Sequence, residues 1–113
     1  MNKYHNQKVK CDGHNFDSIK EFHFYQFLKS CKMAQNKEDR VTKIVLQPRF
    51  ELQPSFKKNG KTFRKIEYVA DFEVTFADGA IRIYDCKGMR TEIYKLKQKL
   101  FEFKYPNLEI IET

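Results

Sequence analysis

Asp71, Asp85 and Lys87 are the residues whose types and spacing bear most directly on chemistry. From Ile66 to Phe76 the chain alternates strictly: Ile66, Tyr68, Ala70, Phe72, Val74 and Phe76 share one face, and Glu67, Val69, Asp71, Glu73 and Thr75 share the other. Ala77-Asp78-Gly79 then turns the chain into a second strand over 80–87. A three-residue loop with Gly79 left-handed sets Phe76 against Ala80 and therefore Asp71 against Asp85, whereas a two-residue loop separates the acids. Carboxylates so opposed have Cβ atoms roughly 5 Å apart and repel unless a positive charge lies between them. A divalent cation resolves the conflict. Mg²⁺ takes one or two carboxylates and leaves its other positions to water and phosphate oxygens. Lys87, two residues beyond Asp85, falls on the same face, where an ammonium can orient the attacking water or stabilise developing charge.

Three further residues are candidates for the same site. Glu21 has Phe24, Tyr25 and Leu28 at i+3, i+4 and i+7, an apolar stripe that points it inward. Ser18-Ile19-Lys20-Glu21 also fits a capping box, in which Glu21 only returns to the helix start. Gln47 either orients a metal-bound water or caps a strand end. Lys95 and Lys99 are spaced i, i+4 and repel unless they face an anion, and Lys95 is a candidate to reach the acids.

The elements that must position these residues follow from periodicity. Asp17 or Ser18 caps a helix running to about Met33, with Ile19, Phe22, Tyr25, Leu28 and Cys31 at helical spacing. Residues 42–48 form a strand that Pro48 marks as an edge or bulge, and 50–56 extends it. Asn59-Gly60 suits a type I′ turn at a hairpin tip carrying Lys57, Lys58, Lys61, Arg64 and Lys65. Gly88 ends the strand after the hairpin loop, Thr91 caps a helix to about Tyr105, and 108–111 is a last strand. The expected class is α/β, in the order α-β-β-β-α-β, with a central mixed sheet flanked by helices. Residues 1–15 read as a flexible basic arm with Lys3, Lys8 and Lys10, and residues 16–113 as a single domain.

A formal charge of +7 from 22 basic and 15 acidic residues favours a polyanionic partner, with nucleic acid first. The high aromatic content, 11 Phe and 6 Tyr, excludes a disordered chain. Three cysteines, Cys11, Cys31 and Cys86, argue against a disulfide framework, and Cys11-x-x-His14 has no second pair to complete a zinc site. No apolar run approaches the roughly 20 residues of a membrane span, and the start lacks the apolar stretch of a signal peptide. The expected compartment is the cytoplasm.

Glu21, Asp71 and Asp85-Cys86-Lys87, in that order, resemble the PD-(D/E)xK nuclease superfamily. Phe16-Asp17-Ser18-x-x-Glu21, Leu46-Gln47-Pro48, Tyr68-Val69-Ala70-Asp71-Phe72, Asp85-Cys86-Lys87-Gly88 and Tyr94-Lys95-Leu96-Lys97 look more closely like a phage and prophage family of small endonucleases related to Holliday-junction resolvases. The resemblance implies a restriction-endonuclease-like core and Mg²⁺- or Mn²⁺-dependent DNA cleavage. Asp71, Asp85, the Cys86 backbone carbonyl and Glu21, through water, would hold the metal, with Gln47 and Lys95 in support. It also implies a homodimer, host cytoplasm and no organic cofactor. Asp85 stands where the family more often has Glu. DNA is expected to contact Lys57, Lys58, Lys61, Arg64, Arg90, Lys95, Lys97 and Lys99. Two other classes stay open: a silent nucleic-acid-binding module on the same fold, and a small phage regulator acting through protein contacts.

Overall fold

The computed structural model describes residues 8–86 and 90–113. The described chain begins with a hairpin, β1 (Val9–Cys11) and β2 (His14–Phe16), closed by Asp12-Gly13. Part of the expected arm is therefore structured. Val9 and Cys11 pack on the core edge and Phe16 is fully buried in it, so apolar contact holds a segment whose composition reads as polar.

Helix α1 (Ile19–Ser30) follows, and a 3₁₀ turn continues it over Cys31–Met33. The Ser18 side chain caps α1 by accepting from the Glu21 amide at 3.1 Å. Tyr25 and Leu28 are buried along with Glu21, whereas Ile19 is exposed.

The stretch expected as one extended strand is two, β3 (Val41–Leu46) and β4 (Arg49–Gln53), because Gln47 takes a left-handed φ of +50°. The basic ribbon β5 (Phe56–Lys58) and β6 (Lys61–Phe63) turns at Asn59-Gly60, whose φ values of +51° and +76° are those a type I′ turn requires. The expected strand over 66–76 is likewise divided, into β7 (Ile66–Val69) and β8 (Phe72–Phe76). The two breaks coincide. The Gln47 amide donates to the Asp71 carbonyl at 2.9 Å and the Ala70 amide to the Pro48 carbonyl at 3.1 Å, so the β3/β8 and β4/β7 ladders meet at one bend. Burial still alternates from Tyr68 to Phe76, but Tyr68 and Ala70 enter one core and Phe72, Val74 and Phe76 the other.

Strand β9 (Ile81–Asp85), helix α2 (Glu92–Lys104) and strand β10 (Ile110–Glu112) complete the fold. The central sheet runs β10-β9-β8-β3, with β10 parallel to β9 and the other pairs antiparallel. Phe16, Tyr25, Leu28, Phe72, Val74 and Phe76 form the core beneath α1. Phe50, Tyr68, Ile83, Tyr94 and Phe101 form a second core beneath α2, where Phe101 meets Phe50 edge to face at 5.0 Å. The molecule is thus a mixed α/β fold, mostly strands, with two helices and a mixed sheet. Beyond the expected order it has the N-terminal hairpin, and bends divide two of the strands.

Candidate active site

The hairpin between β8 and β9 has the expected three-residue loop, and its regular pairing ends one residue short of the acids. Phe72 pairs with Tyr84 and Thr75 with Ile81, and the regular ladder ends there: the Asp71 amide donates to the Tyr84 carbonyl at 3.1 Å, so Asp71 sits at a bulge beside Phe72 instead of continuing the register onto Asp85. The loop is closed by the Gly79 amide on the Phe76 carbonyl and the Phe76 amide on the Ala80 carbonyl, both 2.9 Å, with Gly79 at φ +93°. Asp78 tightens it by accepting from the Ala80 amide at 3.0 Å.

The two carboxylates are held by different donors. Asp71 lies at the bend, partly exposed, and its Oδ2 accepts from the Cys86 amide at 2.6 Å. Asp85 is completely buried, and its Oδ2 accepts from the Tyr68 hydroxyl. The parallel ladder pairs Glu112 with Asp85, so these two acids sit side by side on β10 and β9. Glu112 accepts from the Tyr94 hydroxyl at 2.8 Å and pairs with Arg90. Burial, then the bond to Asp85, drives the Tyr68 hydroxyl far above its ordinary range. Burial, then the bond to Glu112, drives Tyr94 the same way. Both phenols are therefore fixed as hydrogen-bond donors to acids. Glu112, Tyr68 and Tyr94 are absent from the site that the sequence outlines. Glu112 joins it only through the β9–α2–β10 crossover, which no local pattern reveals.

Glu21 is buried, at 6% exposure, and its charge reaches the Cys86 thiol, as does that of Asp71. Burial, and to a lesser degree these two acids, pushes that thiol up to about 11, against the opposing bond from the Thr113 hydroxyl. Glu21 and Asp71 thus converge on Cys86 from α1 and the bend. Gln47 is tied to Asp71 through the backbone, and a cleft of about 310 Å³ bordered by His14, Asn15, Asp17, Glu21 and Gln47 opens beside them.

Other expected residues are not gathered here. Lys87 lies outside the described residues. Lys95 pairs with Glu92 at 3.5 Å on the solvent side of α2, instead of reaching the acids. Arg90 is engaged by Glu112. Lys97 and Lys99 lie along α2, and Lys57, Lys58, Lys61 and Arg64 are exposed on the ribbon and just after it. Among the described residues, no three His, Cys, Asp or Glu side chains come together as a ready metal cage. Asp71 at the bend and Asp85 at the end of β9 are hard oxygen donors, the ligand type that Mg²⁺ takes, and it needs few of them from the protein.

Fold and site together define a small mixed α/β domain with Asp71 at a strand bend and Asp85 and Glu112 paired across β9 and β10. The chain belongs to the family described as "Protein of unknown function (DUF1064)", which it matches over residues 1–112. No curated protein and no solved structure matches it. No helix among the described residues is long and apolar enough to cross a membrane.

Proposed function

We propose that this protein is a metal-dependent endonuclease that hydrolyses phosphodiester bonds in DNA, with a restriction-endonuclease-like core, and that it acts as a homodimer. The observation that carries the reading is the convergence of Asp71, held by the Cys86 amide, and a buried Glu21 from α1 on Cys86, the residue that follows Asp85 at the end of β9. Mg²⁺ or Mn²⁺ would be held by Asp71 and Asp85, with the Cys86 carbonyl and, through water, Glu21 completing the set. The bound ion would lower the pKa of the attacking water and neutralise charge on the phosphate. Tyr68 and the Cys86 amide fix where the two acids sit, so the ligands need little reorganisation. Lys87 would steady the charge that develops on the phosphate, and Gln47, next to Asp71, would orient the water. The exposed cations of the ribbon and α2 would hold the DNA backbone.

A silent DNA-binding module is favoured by one observation, the complete burial of Asp85 beneath Tyr68. Labelled four-way-junction, flap, single-stranded and duplex DNAs incubated with Mg²⁺, Mn²⁺ or EDTA separate the two readings. The nuclease cuts with metal and loses at least a hundredfold in rate on Asp71→Asn or Lys87→Ala. Binding without cutting under every metal establishes the silent module instead.

A further inference from the structure

The ribbon β5–β6 belongs to neither core. All six of its strand residues are exposed, and a two-stranded ribbon with no third strand is marginal in water. Its charges add to the difficulty: Lys57, Lys58, Lys61, Arg64 and Lys65 lie between Pro54 and Ile66 with no carboxylate among them. Lys58 stands directly opposite Lys61, a like-charge pair that costs stability in the free protein. A polyanion removes that cost.

The same face carries a second feature. Phe56 pairs with Phe63, two positions from the lysine pair and therefore on the same side of the ribbon. Their rings stack at 4.8 Å and 10° yet remain 42% and 44% exposed, so together they form a bare aromatic step at the foot of a cationic tip. Phosphates satisfy lysines alone. An aromatic step beside them fits a ligand that brings anions and planar rings at nucleotide spacing. Paired bases keep their faces covered by their neighbours, so an exposed face comes from an unpaired base.

We infer that the ribbon docks an unpaired segment of DNA next to a duplex, with one base stacked on the Phe56–Phe63 step and Lys58 and Lys61 on its flanking phosphates. This rests on the DNA-binding half of the reading above and assigns its substrate class, a discontinuity in the duplex. Lys57, on the opposite face, and Arg64, beyond β6, would contact the adjoining backbone.

Binding in EDTA tests the ribbon whether or not the chain cuts DNA. Against DNA bearing a short unpaired segment, Phe56→Leu/Phe63→Leu is expected to lose roughly five- to a hundredfold in affinity. Plain duplex should lose less than twofold, and Phe56→Tyr/Phe63→Tyr should restore the difference. Lys58→Gln/Lys61→Gln should weaken both DNAs and reduce the salt slope by about two. In the unaltered protein, 5-iododeoxyuridine at the unpaired position should photocrosslink to Phe56 or Phe63, an outcome that needs no variant to fold. Equal losses on both DNAs, or crosslinks confined to residues elsewhere, overturn the proposal. Failure of the Asp71 cleavage test with these results intact rejects only the nuclease.

Discussion

Asp85 is where stability and chemistry meet. It is fully buried, and the Tyr68 hydroxyl donates to it from a residue only 2% exposed. Removing that donor takes a hydrogen bond from a buried carboxylate, a loss of about 1.5–3 kcal/mol. Tyr68→Phe is therefore expected to lower the unfolding free energy measured in urea by that amount with an unchanged m-value, while Tyr84→Phe, whose side chain is not so engaged, should lose less than half as much. Equal losses would mean that Tyr68 contributes only its ring. The three-residue loop was legible from Ala77-Asp78-Gly79, because it is local, but the opposition of Asp71 and Asp85 expected from it stops short at the bulge that Asp71 makes beside Phe72. The partners that hold the acids were not legible. Tyr68 falls on the apolar face of the alternation and reads as plain core, and Glu112 reaches Asp85 only after the chain crosses through α2.

At the scale of elements, two devices position the site. The first is the β8–β9 loop, which depends on Gly79 at φ +93°. A Cβ there meets no atom within 4 Å, so Gly79→Ala changes the conformational term alone, and a loss of about 1–2 kcal/mol is expected in chemical denaturation. The second is the β1–β2 hairpin, docked on α1 by Asp12, which pairs with Lys29 at 2.5 Å and accepts from Tyr25 at 3.1 Å. The bond to Lys29 and then that to Tyr25 hold the Asp12 carboxyl below its ordinary value of 3.8. Because the folded value is depressed, the docking contribution is present above pH 3.8 and is lost as pH falls further. Asp12 raises Lys29 above 10.5, so the same link also weakens at pH well above that value. Hydrogen-exchange protection factors at the Cys11 and Phe16 amides, which face their partners across the hairpin, should fall below about pH 4 in the wild type and be low at neutral pH in Asp12→Asn; pH-independent protection would assign docking to Phe16 alone. Sequence periodicity located α1, α2 and the β8–β9 hairpin but missed this one. Its short strands hold through one buried aromatic and one ion pair, and neither leaves a repeating pattern. The bend was half legible: Pro48 marks an edge or bulge on one strand, but Gln47 is left-handed without being glycine and nothing in Ala70-Asp71 marks the matching break on the other.

The whole molecule is more extended than its length requires, with a radius of gyration of 16.4 Å against about 13 Å for a compact chain of 100 residues. Helix α2 shows what such a shape leaves uncovered. Tyr94 and Phe101 bury one side of it, while Ile93, Leu96, Leu100 and Phe103 on another side are 68%, 57%, 37% and 88% exposed. Their 3-4-3 spacing is that of the a and d positions of a coiled-coil seam. An antiparallel pair about an axis between Leu96 and Leu100 would set Leu96 on the partner's Leu100 and Ile93 on the partner's Phe103. Glu92 would then face the partner's Lys104, a reciprocal opposite-charge contact at each end. The homodimer proposed above would have its seam on this face, and sedimentation equilibrium reads it directly. The wild type should sediment as a dimer at micromolar concentration. Leu96→Glu/Leu100→Glu should sediment as a monomer with an unchanged circular dichroism spectrum, since neither side chain belongs to a core. Glu92→Lys should weaken association, and Glu92→Lys/Lys104→Glu should restore it. A wild type that stays monomeric at tens of micromolar would instead leave one set of acids per DNA molecule, enough to nick one strand but not to cut two strands in a single encounter.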